Sequence, residues 1–342
     1  MKIEGVRLIL HPGMPKCGSS SIQASLILNL QILRQNNVFI LDKKFRIRDS
    51  VAKSEPHGIP YSIIFECLDG EKNLELEIRE CCRLIKENYH IDSFDLILSS
   101  EVLSFIKTVH GHSFHEILSN LFEDSLVIMI IRSPWTQLLS NWRQGGYRHG
   151  DSFKKYSEKY LKPSSSPGEY WESRIEEFNK LYGKVNILSL DTSDDIVGDF
   201  YRVFIEKKID LKSFSKKNNR SLSPVFCELM SKYPDVFQDE VNDIRNTIKR
   251  HKNILDDLVP SDSIIFSNDA LPEHIDQLDK LRLMFMDKYF ILLGEYGGHT
   301  PKELNDFKNK ALNKRQIMVN DVNVNNISEL MLVEIISNLK RI

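Results

Sequence analysis

Residues 6–23 read Val-Arg-Leu-Ile-Leu-His-Pro-Gly-Met-Pro-Lys-Cys-Gly-Ser-Ser-Ser-Ile-Gln, and this stretch decides the fold that we expect. The apolar run that opens it predicts a β-strand, and the serines from Ser19 onward predict the start of a helix. Between them, Gly13 and Gly18 let the backbone bend so that consecutive N–H groups can face one anion. Lys16 adds a positive charge, and the helix start adds unpaired amides. The stretch therefore predicts an anion-binding loop between a strand and a helix.

The loop differs from the phosphate loop of nucleotide kinases, which reads G-x-x-x-x-G-K-[ST]. Gly13 and Gly18 have that separation, but Ser19 stands in the lysine position and the lysine is at 16. An ordinary turn between a strand and a helix is the alternative. The pattern K-x-G-[ST]-[ST] resembles instead the 5′-phosphosulfate loop of sulfotransferases that use 3′-phosphoadenosine 5′-phosphosulfate (PAPS), in particular the bacterial sulfotransferase family. The resemblance implies a P-loop NTPase-like fold, with the nucleotide bound by Lys16, Cys17, Gly18, Ser19, Ser20 and Ser21.

A second motif lies at residues 126–143, where the apolar run Leu-Val-Ile-Met-Ile-Ile leads into Arg-Ser-Pro-Trp-Thr-Gln-Leu-Leu-Ser-Asn-Trp-Arg. A continuous apolar run is typical of a parallel strand buried on both faces. Pro134 favours the first turn of a helix, which places Arg132 at the end of the strand. Arg-x7-Ser after a strand resembles the 3′-phosphate motif of sulfotransferases and implies that Arg132 and Ser140 hold that phosphate. The alternative is an arginine at a sheet edge and a serine on the side of a helix.

Strand and helix patterns alternate along the first two thirds of the chain. We therefore expect an α/β fold, a doubly wound parallel sheet of about five strands flanked by helices. Its ligands would lie beyond the carboxyl ends of the strands. The pattern predicts a PAPS-binding α/β domain at 1–224 and a mostly helical C-terminal extension at 225–342, with a mobile polar loop at 151–168. The predicted strands are 6–11, 38–41, 94–99, 126–131 and 185–190, and the predicted helices are 19–35, 74–89, 114–122, 134–147, 169–181 and 194–208.

Two residues are candidates for the catalytic base. His57 lies after the second predicted strand, where members of the resembled family often place a catalytic His or Glu, and a histidine titrates near neutral pH. Glu101 directly follows the third predicted strand, and a partly desolvated carboxylate there could take a proton or orient His57. A histidine in a surface loop and a glutamate at a helix N-terminus are the respective alternatives.

Three further patterns carry weaker hypotheses. Asn-Arg-Ser-Leu at 219–222 resembles a later family segment, so Arg220 could add a second cation at the 3′-phosphate, or the segment could simply begin a helix. The histidines of 110–115 lack the ligand set of a zinc site, and we expect no metal. Asp191 resembles a metal-binding residue of NTPases, although the segment 191–195 is also suited to capping a helix.

The composition limits the class of protein. The chain has 342 residues, 41% hydrophobic and 27% charged, with a formal net charge of −2. Such a balance is typical of a soluble globular protein and predicts no nucleic-acid partner. Five cysteines without a C-x-x-C spacing favour reduced thiols, and the longest apolar run is too short to span a bilayer. We therefore expect a cytoplasmic protein without a membrane span.

These patterns together predict a PAPS-dependent sulfotransferase. It would transfer the sulfuryl group to a hydroxyl or amine of a small-molecule or saccharide acceptor. Lys16 would stabilise the leaving phosphate, and no metal would be required. The alternatives are a metal-dependent nucleotide kinase that uses the same loop, and a non-catalytic sulfotransferase-like protein that binds the nucleotide. The sequence indicates neither the acceptor nor the oligomeric state.

Overall fold

The structure, a computed structural model, divides the chain into two compact units. The first holds the described residues within 1–132, 170–216 and 291–299, and the second holds those within 133–169, 217–290 and 300–342. The residues that the structure describes are 1–41, 73–104, 108–109, 112–144, 146, 150–151, 153–159, 167–205, 209, 211–212, 227 and 289–313.

A five-stranded sheet forms the centre of the first unit, and all of its strand pairs are parallel. The strand order is β2-β3-β1-β6-β7, so β1 lies in the middle between β3 and β6. This sheet confirms the α/β class and the five parallel strands that the sequence predicts. The strands are β1 (Ile3–Pro12), β2 (Val38–Ile40), β3 (Phe94–Ser100), β6 (Phe122–Ile131) and β7 (Val185–Ser189), and β4 (Thr108–Val109) and β5 (His112–Ser113) form a separate antiparallel pair.

Helices flank this sheet, and the helix Leu74–Tyr89 shows how an apolar face packs into the core. In the helix Leu74–Tyr89 the buried residues recur at helical spacing, which is the pattern of a helix with one face in the core. Its first turn is capped by the side chain of Asn73, and His90 ends it in the left-handed conformation, with φ of 53°. The helices of the first unit are α1 (Ser19–Leu28), α2 (Leu30–Gln35), α3 (Leu74–Tyr89), α4 (Phe114–Leu121), most of α7 (Pro167–Tyr182) and α8 (Ile196–Phe204).

The predicted helix 19–35 is two helices, separated at Asn29. The side-chain amide of Asn29 donates to the carbonyl of Ser25 at 3.0 Å and to that of Lys212 at 3.2 Å. Its oxygen accepts from the backbone N–H of Lys212 at 2.7 Å. This pairing with a segment 183 residues away is a tertiary contact, and no local sequence pattern reveals it.

Other differences concern the ends of elements. Strand β6 begins at Phe122, four residues before the predicted strand, and the helix predicted to reach 147 ends at Trp142. The mobile loop predicted at 151–168 is wrong for its first part, because a helix occupies Phe153–Glu158. The carboxylate of Asp151 forms ion pairs with two lysines of this stretch. These pairs favour the ordered conformation of the stretch.

The second unit contains α5 (Pro134–Trp142), α6 (Phe153–Glu158) and α9 (Pro301–Asn313) among its described residues. The division of the chain near residue 224 stays a prediction. Within the described part of the chain, no helix is both long and apolar enough to cross a bilayer.

Candidate anion-binding site

The loop between β1 and α1 is tightly bent and held against the neighbouring strand. The N–H of Gly13 donates to the carbonyl of Ser100 at 3.1 Å, and the N–H of Cys17 donates to the carbonyl of Met14 at 3.2 Å. Lys16 has a φ of 64° and Gly18 a φ of 88°. A left-handed conformation costs a residue with a side chain about 1–2 kcal/mol, so the strain at Lys16 marks a shape that the surroundings enforce.

The N-terminus of α1 faces the inside of this loop without a cap of its own. Gly18 is the N-cap residue, no side chain caps the helix, and no acidic residue lies in its first turn. The N–H groups of Ser21 and Ile22 both donate to the carbonyl of Gly18. The N–H groups of Ser19 and Ser20 precede the first intrahelical bonds and can donate to an anion.

The side chain of Ser19 lies inside the loop and contacts its backbone. Its side chain is buried, and its hydroxyl donates to the carbonyl of Met14 at 3.3 Å. A Cβ atom on Gly13 would lie 2.4 Å from this hydroxyl oxygen, so only glycine fits at position 13 without a shift of the loop. Ser20 and Ser21 are half-buried.

Cys17 fills the interior of the loop. Its side chain is fully buried, and its Sγ atom lies 3.5 Å from the carbonyl oxygen of Pro15. Burial raises the pKa of the Cys17 thiol well above its usual range, and the nearby Arg132 opposes this only in part. Cys17 is therefore a packed thiol rather than a reactive thiolate.

Arg132 reaches the same loop from the next strand. It directly follows β6, and its Nη1 atom lies 3.5 Å from the carbonyl oxygen of Lys16. Its Nε atom lies 3.5 Å from Oδ1 of Asp191, which follows β7. Nε is buried and has no hydrogen-bond partner among the described residues. The structure thus brings Arg132 of the second motif against the backbone carbonyl of Lys16 in the first.

Glu101 borders the loop on the opposite side. It is the first residue of a 3₁₀ helix, Glu101–Ser104, that directly follows β3. A Cβ atom on Gly13 would lie 3.3 Å from Cγ of Glu101, and the Ser104 hydroxyl lies 2.7 Å from the carbonyl of Glu101 and 3.3 Å from that of Gly13. Glu101 is exposed, whereas the sequence suggested partial desolvation.

Two features of the site are not predicted by the sequence. His11, at the end of β1, is fully buried, and its Nδ1 atom pairs with the Ser99 hydroxyl at 2.8 Å. Its Nε2 atom has no hydrogen-bond partner among the described residues, and burial lowers the pKa of His11 to about 3. The second feature is Leu190, whose side chain would lie 3.4 Å from a Cβ atom on Gly18. An apolar run that predicts a strand buried on both faces also suggests that the polar residues of that strand are buried. It does not indicate which residues they contact.

The sequence also implies three further site residues, for which no contact with this loop can be described. His57 and Arg220 lie outside the described residues. Ser140 lies on α5 in the second unit and is half-buried. Of the aromatic residues near it, Trp142 is buried and its indole N–H donates to the carbonyl of Asp151 at 2.8 Å, as core packing predicts.

The histidine-rich segment gives no metal centre among its described residues. Both ring nitrogens of His115 are engaged, Nδ1 with the Tyr182 hydroxyl at 2.9 Å and Nε2 with the carbonyl of Leu103 at 2.8 Å. Burial lowers the pKa of His115 to about 4. No cluster of three metal-ligating side chains occurs within the ranges that the structure describes, and His110 lies outside them.

Comparison of the chain with models of known families, and with curated proteins, finds no match.

Proposed function

We propose that this protein is a PAPS-dependent sulfotransferase. The observation that carries the proposal is the contact between Arg132 and the loop of Lys16, at the carboxyl ends of two paired strands. An arginine, a lysine-containing loop and a helix N-terminus at one place suit a ligand with more than one phosphate group. In many NTPases a strand of this kind ends in a carboxylate that holds Mg²⁺, whereas β6 ends in a cation.

Different residues would bind the two phosphate-bearing ends of the nucleotide. The amides of Ser19 and Ser20 and the Lys16 ammonium would bind the 5′-phosphosulfate. Arg132 would bind the 3′-phosphate, because a planar guanidinium can donate two parallel hydrogen bonds to a phosphate monoester. The proposed contribution of Ser140 and Arg220 to the same phosphate follows from the resemblance alone.

Sulfuryl transfer then needs a nucleophile, a base and charge stabilisation. The acceptor oxygen or nitrogen attacks the sulfur, a new bond to sulfur forms, and the bond from sulfur to the bridging phosphate oxygen breaks. Glu101 is the base candidate that lies at the loop, where it would take the acceptor's proton. Lys16 would stabilise the negative charge that develops on the bridging oxygen of the leaving adenosine 3′,5′-bisphosphate. His57 stays the alternative base, and the acceptor class is a small molecule or a saccharide.

One observation favours the kinase as a second candidate. Carboxylates of Glu101 and Asp191 lie on both sides of the loop, and carboxylate oxygens are ligands that Mg²⁺ prefers. A kinase of this kind would bind ATP with Mg²⁺ and would be indifferent to a phosphate on the ribose 3′ oxygen.

Calorimetric titration separates these candidates. The purified protein is titrated with adenosine 3′,5′-bisphosphate, 5′-AMP, ADP and ATP with Mg²⁺. We expect the bisphosphate to bind most tightly. Arg132→Ala should remove about 10- to 100-fold of its preference over 5′-AMP, the usual effect of a hydrogen bond to a charged group. Lys16→Ala should weaken both ligands alike, because both carry the 5′-phosphate.

The control is Arg202→Ala, because Arg202 is an exposed arginine of α8 paired with Asp199. It should leave every affinity unchanged. Tightest binding of ATP with Mg²⁺ would favour the kinase. Preferential binding of the bisphosphate, without sulfuryl transfer from PAPS to any of a broad set of acceptors, would favour the non-catalytic alternative.

A further inference from the structure

We propose that Asp191 competes with the nucleotide for Arg132 and thereby weakens nucleotide binding. The carboxylate of Asp191 lies beside the guanidinium, and the phosphate that Arg132 binds must displace it. This inference rests on the proposed function, since it concerns the cation assigned to the 3′-phosphate. It makes Asp191 a determinant of nucleotide affinity and of product release.

The backbone fixes Asp191 beside Arg132. Strands β6 and β7 pair up to Ile131 and Ser189, and the N–H of Leu190 donates to the carbonyl of Ile131 at 2.9 Å. Arg132 directly follows Ile131, and Asp191 follows Ser189 by two residues, so both charged residues lie where the two strands end. The turn after β7 is held as well, because the N–H of Thr192 donates to the Ser189 hydroxyl at 3.2 Å.

Asp191 is not the residue that caps the N-terminus of α8. The N-cap residue of α8 is Asp195, whose carboxylate accepts from the N–H of Gly198 at 3.0 Å. Asp191 lies four residues earlier, and its carboxylate points to the Nε atom of Arg132 instead.

The ion pair is loose enough for a phosphate to replace it. The 3.5 Å between Oδ1 and Nε is longer than a good hydrogen bond, and the side chains of Arg132 and Asp191 are 28% and 27% exposed. An ion pair of this exposure is weak. A phosphate monoester carries more negative charge than a carboxylate and can accept from two guanidinium nitrogens at once. The exchange therefore favours the phosphate, but less than if Arg132 had no carboxylate beside it.

The test is the affinity for adenosine 3′,5′-bisphosphate of Asp191→Asn, which keeps the shape of the side chain and removes its charge. We expect its Kd to fall about two- to fivefold, the effect of removing one weak, partly exposed ion pair. The Kd for 5′-AMP should fall less. Asp191→Glu, which keeps the charge, should bind close to the wild type. Asp194→Asn is the matched control, an equal charge change on the same turn.

The Asp191→Asn substitution is also made in the Arg132→Ala variant, and the Kd is measured again. If Asp191 acts by holding Arg132, the gain from Asp191→Asn should largely vanish when Arg132 is already absent. A gain in affinity cannot result from a damaged fold. If Asp191→Asn does not fold, Asp191→Ser is used in its place.

An unchanged or higher Kd in Asp191→Asn would overturn the inference. So would an equal gain in Asp194→Asn, or an undiminished gain without Arg132, since either would reveal a general effect of net charge. The proposed function fails separately: in that case the wild type binds 5′-AMP as tightly as the bisphosphate. Asp191 is then judged by whether its amide variant binds 5′-AMP more tightly.

Discussion

Gly13 shows how closely single residues are packed around the loop. A Cβ atom there would lie 2.4 Å from Oγ and 2.8 Å from Cβ of Ser19, and 3.3 Å from Cγ of Glu101. The first two distances are shorter than atoms tolerate, so the loop and α1 cannot both keep their places around a larger residue. The missing side chain lets the backbone of the loop approach the helix start, where the anion is proposed to bind.

We therefore predict that Gly13→Ala lowers the free energy of unfolding by about 1–3 kcal/mol, the usual cost of overpacking. It should also weaken binding of adenosine 3′,5′-bisphosphate, because the displaced helix start carries the proposed amide donors. Urea unfolding and calorimetric titration measure the two effects.

The double variant Gly13→Ala, Ser19→Gly supplies the control. Removing both crowded atoms of Ser19 should make the Gly13 substitution less costly than it is alone, after the separate cost of Ser19→Gly is subtracted. Strictly additive costs would show that the contact with Ser19 is not the cause.

Among the elements, α8 depends on one residue of the turn before it. Asp195 accepts from the N–H of Gly198, and the exposed Asp194 beside it makes no capping bond. We predict that Asp195→Ala lowers the free energy of unfolding by about 1 kcal/mol, while Asp194→Ala changes it by less than about half of that. Chemical denaturation of the two variants tests the difference. Equal losses would mean that the charge of this turn matters rather than the cap.

The sequence predicts the elements better than it predicts their contacts. Apolar runs such as Leu126–Ile131 identify the strands because a strand buried on both faces needs no polar alternation. The loop motif is equally local, since its glycines and lysine are adjacent in the chain. Because both motifs follow strands, the sequence already predicts Arg132 and the loop at one edge of the sheet. The pairing of Asn29 with Lys212 and the burial of His11 depend instead on long-range packing. Local patterns contain no information about such partners.

In the whole molecule, four residues of the proposed site lie in one unit. Lys16, Glu101, Arg132 and Asp191 all belong to the first unit, at the carboxyl ends of β1, β3, β6 and β7. Two of these residues are basic and two are acidic, so their formal charges cancel, and the chain as a whole has a formal net charge of only −2. Selection of an anionic ligand must then come from the arrangement of the charges, which is why single neutralising substitutions are informative.

Two buried histidines couple the stability of the first unit to pH. Burial lowers the pKa of His11 to about 3 and that of His115 to about 4, from an ordinary value of 6.5. Below 6.5 the unfolded chain binds protons at these two residues that the folded chain does not. Lowering the pH therefore stabilises the unfolded state, and the stability from these residues is present above pH 6.5 and lost as the pH falls toward their folded values.

We predict that, between about pH 6 and pH 5, each of the two histidines contributes a loss of about 1.4 kcal/mol per pH unit to the free energy of unfolding. Urea unfolding at several pH values measures the slope. Near neutral pH the variants His11→Gln and His115→Gln should each lower stability, since each loses buried hydrogen bonds. The informative quantity is the slope, which each substitution should reduce by about that same amount per pH unit. A variant that retains the full wild-type slope would show that its histidine already titrates near 6.5 in the folded protein, and hence that water or a counter-charge reaches that ring.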